Sequence, residues 1–415
     1  MKQKKIVVIG AGIVGVSTAI WLQRDGHKVV LIDREGPAAG ASFGNGGVLV
    51  PSGIIPVNSP GLISSAPGML MRSDSPLFIH WPYLPKMLPW LMRYLCRSNA
   101  ADARQTAQAL RPLLHDSVCQ HIELAKGTGA EKWIKPCDYV FVYDNRAAFE
   151  KNAFAWDVRR ELGIDWDVMN SDEFECYDAE FGHIGEYALR LPDHARIADP
   201  GMYVTELAQH FQQQGGELII AGVEDIKLSG AVVQAVKTDQ GLVDCEAAVV
   251  TAGVCSKPLL QKLGVRIPME SERGYHIDLI NPSAMPKSAM MVASGKFVIT
   301  PMEGRIRCAG IVEFGGLEAS ANKAPLDFLK KSIHQTCPKL EYDAVEEWMG
   351  HRPAPADSIP FIGNVPKAPN VYAAFGHHHV GLTGGAKTGR LIADMIAGRN
   401  LSIDMQPYET SRFTH

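Results

Sequence analysis

The N-terminal part of the chain alternates short apolar runs with a segment of helical periodicity. Residues 5–10 (KIVVIG) are too continuously apolar for a half-exposed strand, so they predict a buried one. Residues 14–25 predict a helix that Gly26 ends, and residues 27–33 (HKVVLID) predict a second buried strand. Together they form a strand–helix–strand unit, the usual start of a parallel sheet.

The remainder of the chain mixes helical and strand patterns. Helices are expected over 101–126, 146–162, 200–215 and 324–337. Strands are expected over 138–144, in four short segments between 217 and 253, in a hairpin around Gly304, near 341–349 and over 370–376. This order predicts an α/β chain with a Rossmann-like dinucleotide domain interleaved with an α+β domain that contains an antiparallel sheet. The expected boundaries are 1–58, 190–270 and 350–415 for the first domain, and 59–189 and 271–349 for the second.

Residues 59–98 differ from the rest in being rich in proline, methionine and aromatic residues. Repeated prolines should divide this segment into short helical pieces. The residues that give it this character are Pro67, Met69, Met71, Pro76, Phe78, Trp81, Pro82, Tyr83, Pro85, Met87, Pro89 and Trp90. The favoured interpretation is an irregular packed subdomain, and the alternative is an apolar surface that touches a membrane or a partner.

Composition narrows the class of protein. The 415 residues are 46% hydrophobic and 21% charged with a net charge of −4, which is ordinary globular composition and gives no reason to expect nucleic acid as a partner. Eight cysteines without a CxxC pair do not indicate a zinc site, an iron–sulfur cluster or a disulfide framework. The N-terminus lacks a clean cleavage site and no window offers about 18 uninterrupted apolar residues, so a cytoplasmic protein is expected. No feature indicates an oligomeric state.

The glycine motif Gly10-x-Gly12-x-x-Gly15 stands directly between the first strand and the first helix. Gly10 permits the tight turn, Gly12 lets the backbone approach a pyrophosphate, and Gly15 allows close helix–strand packing. Asp33 closes the second strand, where its carboxylate can accept hydrogen bonds from a ribose diol. The arrangement predicts a bound dinucleotide, and the acid at position 33 disfavours a 2′-phosphate there.

Three features favour FAD over NAD. A second glycine-rich loop, residues 40–47, follows just beyond the ribose acid, and its Ser42 and Asn45 could line the pyrophosphate and flavin. Residues 250–253 end a late strand that should form a further wall of the same site. Only one GxGxxG is linked to a strand, whereas an enzyme that also docks NAD(P)H would show two. The other residues expected at the cofactor are Ile13, Val14, Arg34, Ala41, Gly46, Gly47, Val223, Thr251, Ala252, Gly253, Gly381, Leu382 and Thr383.

Two further groups carry candidate chemistry. The loop Gly381–Gly385 opens a helix whose N-terminus could stabilise the reduced flavin, with Thr383 as its N-cap. Arg352, in a proline-rich turn, has a guanidinium suited to clamping a carboxylate, although composition alone favours a surface arginine. The consecutive histidines 377–379 are not expected to bind metal, because adjacent side chains rarely converge and no partner acid is apparent.

Several segments resemble the FAD-dependent D-amino acid dehydrogenase family, within the wider D-amino acid oxidase, glycine oxidase and sarcosine oxidase superfamily. They are VVIGAGIVGVSTAIWLQRDGHKVVLIDREG, GASFGNGG, PGM…PLF…LPWLMRYL, ERGYH, VVTAG and GHRPAPADSIPFIG, in the family's order over nearly the whole chain. The resemblance implies a glutathione-reductase-like FAD domain and a substrate domain built on an antiparallel sheet. It also implies oxidation of an amino acid to an imino acid by hydride transfer from Cα to flavin N5.

The resemblance also implies roles for individual residues. Arg352 matches the arginine that binds the substrate carboxylate, Tyr275 a substrate-pocket tyrosine, and residues 376–381 the segment beside the flavin. Three histidines in that segment and His276 after Tyr275 depart from the commoner pattern. These departures resemble members that act on cyclic imino acids such as D-proline or hydroxy-D-proline.

Hydride loss from Cα needs a neutral amine, whose lone pair stabilises the forming iminium. An imidazole could take that proton near neutral pH, and His379 and His276 are the candidates. The dehydrogenase resemblance implies that electrons pass to a quinone or another acceptor of the respiratory chain. The apolar character of residues 59–98 predicts, separately, a peripheral contact with the inner face of the membrane. The alternatives are an oxidase that uses O₂, a flavin monooxygenase driven by NAD(P)H, and a flavin-carrying subunit without activity of its own.

Overall fold

The computed structural model describes residues 2–62 and 77–413. The α-helices in these ranges are α1 (Ile13–Arg24), α2 (Leu84–Cys96), α3 (Ala100–Leu114), α4 (Ser117–Ala125), α5 (Arg146–Glu150), α6 (Ala153–Glu161), α7 (Ser171–Tyr177), α8 (Pro200–Gln213), α9 (Ser256–Lys262), α10 (Lys323–Thr336) and α11 (Gly381–Ala397). The strands are β1 (Lys5–Ile9), β2 (Lys28–Asp33), β3 (Val48–Leu49), β4 (Leu77–Ile79), β5 (Ile134–Tyr143), β6 (Asp167–Asn170), β7 (Tyr187–Ile197), β8 (Glu217–Ile220), β9 (Val223–Ser229), β10 (Val232–Thr238), β11 (Gly241–Asp244), β12 (Ala247–Val250), β13 (Met269–Ile280), β14 (Ala289–Val292), β15 (Phe297–Met302), β16 (Arg305–Phe314), β17 (Ala344–Pro355), β18 (Phe361–Val365) and β19 (Ala368–Phe375).

The first sheet is mostly parallel and has six strands in the order β18-β19-β12-β1-β2-β8. β1 runs parallel to both β2 and β12, and the predicted unit of β1, α1 and β2 is confirmed. The buried faces of α1, α8 and α11 pack on this sheet in one hydrophobic core. A continuously apolar strand such as β1 is buried on both faces, as its position in the middle of a parallel sheet requires.

The second sheet has ten strands along the path β17-β13-β16-β15-β14-β5-β7-β3, with β4 and β6 joined to its side, and most of its pairs are antiparallel. The predicted hairpin around Gly304 is the β15–β16 pair. α10 packs on one face of this sheet beneath β13 and β16. A small three-stranded sheet, β11-β10-β9, lies beside the first. The α/β fold with two separate sheets, one of them largely antiparallel, is therefore as predicted.

Two segments belong to a different sheet from the one that the sequence suggests. Residues 190–197 lie in β7, which pairs with β5, and residues 350–355 lie in β17, which pairs with β13. Both segments are thus part of the second sheet rather than of the dinucleotide unit. The prolines near Arg352 do not form a turn but lie within β17. They are tolerated there because β17 is an edge strand, where a missing N–H leaves no partner unpaired.

The proline-rich segment contributes a packed wall, which was the favoured interpretation. Met87, Trp90 and Tyr94 of α2 are buried against Phe314 of the second sheet. The same helix exposes Leu88 and Met92, and Trp81 is exposed just before it. Pro67, Met69, Met71 and Pro76 lie outside the described residues. Among the helices of residues 2–62 and 77–413, none has the length and apolar character needed to cross a bilayer.

Candidate active site

A cavity of about 1560 Å³ is lined by the ends of the first sheet's strands and by one face of the second sheet. At one end it contains the glycine motif, and nearly all residues expected at the cofactor line it. These are Gly10, Gly12, Ile13, Val14, Asp33, Arg34, Ala41, Ser42, Asn45, Gly46, Val223, Thr251, Ala252, Gly253, Gly381, Leu382 and Thr383. Gly15 and Gly47 do not line it, because both serve to pack backbone segments together.

Gly15 shows why the β1–α1 turn requires glycine. A Cβ at Gly15 would lie 1.8 Å from the carbonyl oxygen of Gly10 and 2.7 Å from Oγ1 of Thr251. Gly10 itself has φ of +106°, in the region that favours glycine. The first turn of α1 is therefore drawn tightly against the strand ends, with its N-terminus at the cavity.

Asp33 stabilises the same turn through its carboxylate. One oxygen accepts a hydrogen bond of 2.7 Å from the N–H of Ala11, and the other accepts from the N–H groups of Glu35 and Gly36. Asp33 also lines the cavity, so its remaining acceptor capacity faces the place expected for a ribose.

The second glycine loop is held from two sides. Oγ of Ser42 accepts a hydrogen bond of 3.0 Å from the N–H of Ile13, which joins the loop to α1. Arg307 of the second sheet donates to the carbonyl oxygens of Phe43 and Asn45, both at 2.8 Å, and its charge is balanced by Asp278. The second sheet thus fixes the loop that meets the cofactor end of the cavity.

Thr383 has a different role from the predicted one. α11 begins at Gly381, and its N-cap residue is Val380, which has no side-chain cap. Thr383 already lies inside the first turn, where its hydroxyl accepts from the N–H of Val50 and contacts the carbonyl oxygen of Val48. Thr383 therefore joins α11 to the segment after the glycine loop rather than capping the helix.

The cofactor end of the cavity fits FAD. The N-cap of α1 is Gly12, which has no side chain to cover the helix N-terminus, so the positive end of the helix dipole faces the cavity, where it suits a pyrophosphate. The glycine loop, residues 251–253 and the start of α11 extend the same lining beyond that point. An extended dinucleotide with a flavin matches this long, glycine-lined shape.

Arg352 lies farther along the same cavity, on β17. Its Nη1 donates to Oε1 of Glu272 at 2.9 Å and to the carbonyl oxygen of Ile311 at 3.3 Å. The guanidinium crosses Gly274 of the neighbouring strand, where a Cβ would lie 2.3 Å from its Cζ. Because Gly274 has no side chain, the guanidinium lies flat on the sheet and reaches the cavity wall.

Glu272 is the centre of a cluster that the sequence did not reveal. Its side chain is 1% exposed, and it accepts from Nε2 of His378 and from Nε2 of His379, each at 2.7 Å, besides Arg352. Burial acts to raise the pKa of Glu272, but His379 and His378 outweigh it and hold that pKa well below its ordinary value. The carboxylate is therefore charged and fully surrounded by donors.

The structure does not bring Tyr275 and His276 into the cavity lining. Tyr275 points to the opposite face of the sheet, because side chains alternate along β13, and its hydroxyl donates to Glu313. His276 is stacked on Trp348 at 5.0 Å between ring centroids, and its Nδ1 contacts the carbonyl oxygen of Gly44. Burial, aided by Arg307, lowers the pKa of His276 to about 3. Both side chains are thus held by these contacts rather than lining the cavity.

The three consecutive histidines do not act alike. His377 is directed to Thr388, whereas His378 and His379 converge on Glu272. The expectation that adjacent histidines here neither converge nor have a partner acid is therefore wrong, since His378 and His379 both contact Glu272. The contacts are direct hydrogen bonds, and Arg352 beside the same carboxylate opposes the approach of a cation.

Glu272 was missed because its role depends on strand register. It lies opposite Arg352 across the β13–β17 pair. A signal was present in the sequence: Gly274 inside a strand marks a close approach, and Glu272 shares its face of the strand.

Comparison with known proteins agrees with this geometry. A family model described as FAD dependent oxidoreductase matches residues 5–395. The chain is 38% identical to a D-amino-acid oxidase of Bradyrhizobium diazoefficiens and 30% identical to a D-amino acid dehydrogenase of Paramagnetospirillum magneticum, in each case over 99% of both chains. The crystal structure of glycine oxidase from Bacillus cereus ATCC 14579 has the same fold, with a TM-score of 0.71 at 19% identity, covering 97% of this chain and 99% of that one. With its glycine-lined cofactor end, the chain belongs to the family of FAD-dependent oxidoreductases.

Proposed function

We propose that the protein oxidises a D-amino acid or a cyclic imino acid of the D-proline or hydroxy-D-proline type to the corresponding imine. The observation that carries this proposal is the placement of Arg352 on the wall of the cavity whose other end holds the dinucleotide motif. A partly exposed guanidinium there is suited to a carboxylate, and the 38% identical relative, named a D-amino-acid oxidase, supports the same class of substrate.

Residues at the two ends of the cavity have different roles in this reaction. The α1 N-terminus, Asp33 and the second glycine loop would hold FAD, which when bound accepts a hydride from the substrate. Arg352 binds the substrate carboxylate and so fixes the distance of Cα from the cofactor end of the cavity. Apolar side chains such as Val312 and Phe314 line the cavity near it and exclude water from the reacting carbon.

Anaerobic reduction of the FAD-loaded protein by a panel of amino acids tests this proposal. The panel contains D- and L-forms of common amino acids and of proline and hydroxyproline, and loss of the flavin absorbance is followed. We expect bleaching by D-forms or by cyclic imino acids. Failure of every amino acid to bleach the flavin would overturn the proposal, and bleaching by NAD(P)H instead would indicate a monooxygenase.

For the reoxidation step we propose a quinone or another non-O₂ acceptor. The 30% identical relative named a D-amino acid dehydrogenase supports this choice. The 38% identical relative is named an oxidase and favours O₂ as the second candidate. Admitting air to the bleached protein, and in parallel a soluble quinone without air, separates the two. Slow recovery of absorbance in air with fast recovery by quinone is the expected result.

We also propose a cytoplasmic protein that contacts the inner face of the membrane through α2. This helix exposes Leu88 and Met92, Trp81 lies exposed just ahead of it, and Lys86 is exposed elsewhere on the same helix. Exposed apolar side chains on a helix that also carries a cation suit an anionic lipid surface. Flotation with vesicles containing phosphatidylglycerol should retain the wild type and release the double variant Leu88→Glu/Met92→Glu. Equal recovery of both in the lipid-free fraction would contradict the contact.

A further inference from the structure

Glu272 and the two histidines form an arrangement that needs an unusual backbone. His378 has φ of +49°, a left-handed conformation that residues other than glycine rarely adopt. This conformation turns two consecutive imidazoles, 4.3 Å apart between ring centroids, toward the same carboxylate. Non-glycine residues in this region occur where the surrounding structure holds them, and such places are frequently functional.

His379 differs from His378 in what its ring can reach. Both rings line the cavity, but the side chain of His378 is only 4% exposed, whereas that of His379 is 36% exposed. A charged carboxylate only accepts, so the Nε2 that contacts Glu272 carries the hydrogen and Nδ1 keeps its lone pair. Among the described residues no hydrogen-bond partner is found for this Nδ1. The ring therefore offers an oriented acceptor at the cavity, next to Arg352.

We propose that Glu272 and His379 act as a pair that removes the proton from the ammonium group of the substrate. This inference rests on the proposed function. In the step, an N–H bond of the ammonium group breaks, the proton bonds to Nδ1 of His379, and the electron pair stays on the substrate nitrogen. Glu272 stabilises the imidazolium through the Nε2–H contact. The freed lone pair then supports loss of the Cα hydride to FAD.

The charges at this end of the cavity fit a zwitterion. Arg352 and Glu272 carry opposite charges and are paired, so the site is balanced before substrate enters. A zwitterion adds one charge of each sign, with its carboxylate at Arg352 and its nitrogen at His379. A carboxylate of the same shape without nitrogen would leave an unbalanced negative charge beside buried Glu272. The site should therefore discriminate against simple carboxylates.

The surroundings of His379 keep its ring in the form that can accept a proton. The charged and titratable groups that act on it are Glu272 and Arg352 from the second sheet and His378 beside it, and Tyr94 of α2 lies near Glu272. Burial lowers the pKa of His379 to about 4, and Glu272 opposes this shift only in part. This shift favours the neutral ring, whose Nδ1 can accept a proton.

The pH dependence of reduction by substrate tests the pair. FAD-loaded wild type, His379→Asn and Glu272→Gln are compared from about pH 6 to pH 9, using the amino acid that bleaches the flavin best. The wild type should show a kcat/KM that is nearly flat over the lower half of this range. The His379→Asn variant can oxidise only substrate whose amine is already neutral in solution. Its kcat/KM should therefore fall roughly tenfold per pH unit below the pKa of the amine. His27→Asn removes a buried imidazole at the start of the first sheet and should behave as the wild type.

A binding measurement supplies a readout that does not depend on turnover. α-Methylproline lacks the Cα hydrogen and cannot be oxidised, and 1-methylcyclopentanecarboxylate has the same shape without nitrogen. Calorimetry should show that the wild type binds α-methylproline at least about tenfold more tightly. The preference should shrink in Glu272→Gln and His379→Asn and persist in His27→Asn. If Glu272→Gln does not fold, the pH profile and the binding preference of His379→Asn are sufficient to test the pair.

The outcomes separate this inference from the proposed function. A wild type that is bleached by amino acids, together with a flat pH profile in His379→Asn, would overturn the pair and leave the proposed function intact. Equal affinity of the wild type for the two ligands, or a stoichiometric metal ion whose removal abolishes activity, would also overturn it. If no amino acid bleaches the flavin of the wild type, the proposed function is wrong, and the proposed pair is wrong with it.

Discussion

Substitution of Gly274 by alanine should damage substrate binding while leaving the fold and the cofactor in place. The added Cβ would lie 2.3 Å from Cζ and 2.4 Å from Nη2 of Arg352. The guanidinium must move by about 1 Å to reach an ordinary separation of about 3.5 Å. That displacement pulls Nη1 away from Glu272 and from the position in which it meets a carboxylate.

A misplacement of about 1 Å at a positioning group can lower kcat/KM by roughly 100-fold, equivalent to about 2.7 kcal/mol of transition-state stabilisation. We expect most of the loss in KM, because Arg352 acts on the carboxylate and not on the reacting bond. The alanine itself is compatible with a strand, so the fold should be kept, but the loss of a donor to buried Glu272 should lower the free energy of unfolding by about 1–3 kcal/mol.

Anaerobic stopped-flow reduction measures this effect, with flavin absorbance per chain and thermal unfolding as controls. Titration with 1-methylcyclopentanecarboxylate gives the carboxylate contribution separately. If Gly274→Ala is folded, binds FAD and keeps the wild-type KM, then Arg352 does not bind the substrate carboxylate from the position described. A variant that loses FAD would instead show that Gly274 supports the cofactor end.

Three other substitutions probe separate parts of the site. Arg352→Ala should raise KM steeply with little loss of bound FAD, as measured by reduction kinetics and flavin absorbance. An unchanged KM would show that Arg352 does not bind the substrate carboxylate. Tyr275→Phe should leave KM unchanged and lower the free energy of unfolding by about 1–3 kcal/mol, because buried Glu313 loses a donor. Denaturant titration measures this change in stability. A raised KM would indicate that Tyr275 contacts the substrate after all. Gly15→Val should yield protein with little FAD after purification, since even its Cβ would overlap Gly10 O; wild-type flavin content would contradict the packing.

The cofactor end of the site could be predicted from sequence because its determinants are local. Gly10, Gly12 and Gly15 act within one turn, and Asp33 follows at the end of the next strand, so spacing alone places them together. The histidines were harder to interpret. Whether His378 and His379 converge depends on one backbone torsion, and no periodicity in the sequence reports a left-handed residue that is not glycine.

The substrate end depends on pairing between segments about 80 residues apart. Glu272 and Arg352 face each other because β13 and β17 pair in one register, which a single sequence does not specify. The same register decides that Tyr275 faces α10 and the interior of the second sheet, whereas its neighbours Glu272 and Gly274 face the cavity. The resemblance matched Tyr275 to a substrate-pocket tyrosine, but it could not give the face of β13 on which the side chain lies.

The position of β1 in the middle of the first sheet has a consequence for biosynthesis. Its partner β12 is translated more than 200 residues later, and β19 and α11, which complete that side and line the cavity, come from the last part of the chain. During translation, the apolar segment Ile6–Ile9 lacks its neighbour β12 and is prone to aggregation. FAD can thus be captured only after β19 and α11 have been synthesised, and products that end before them should depend on chaperones to stay in solution.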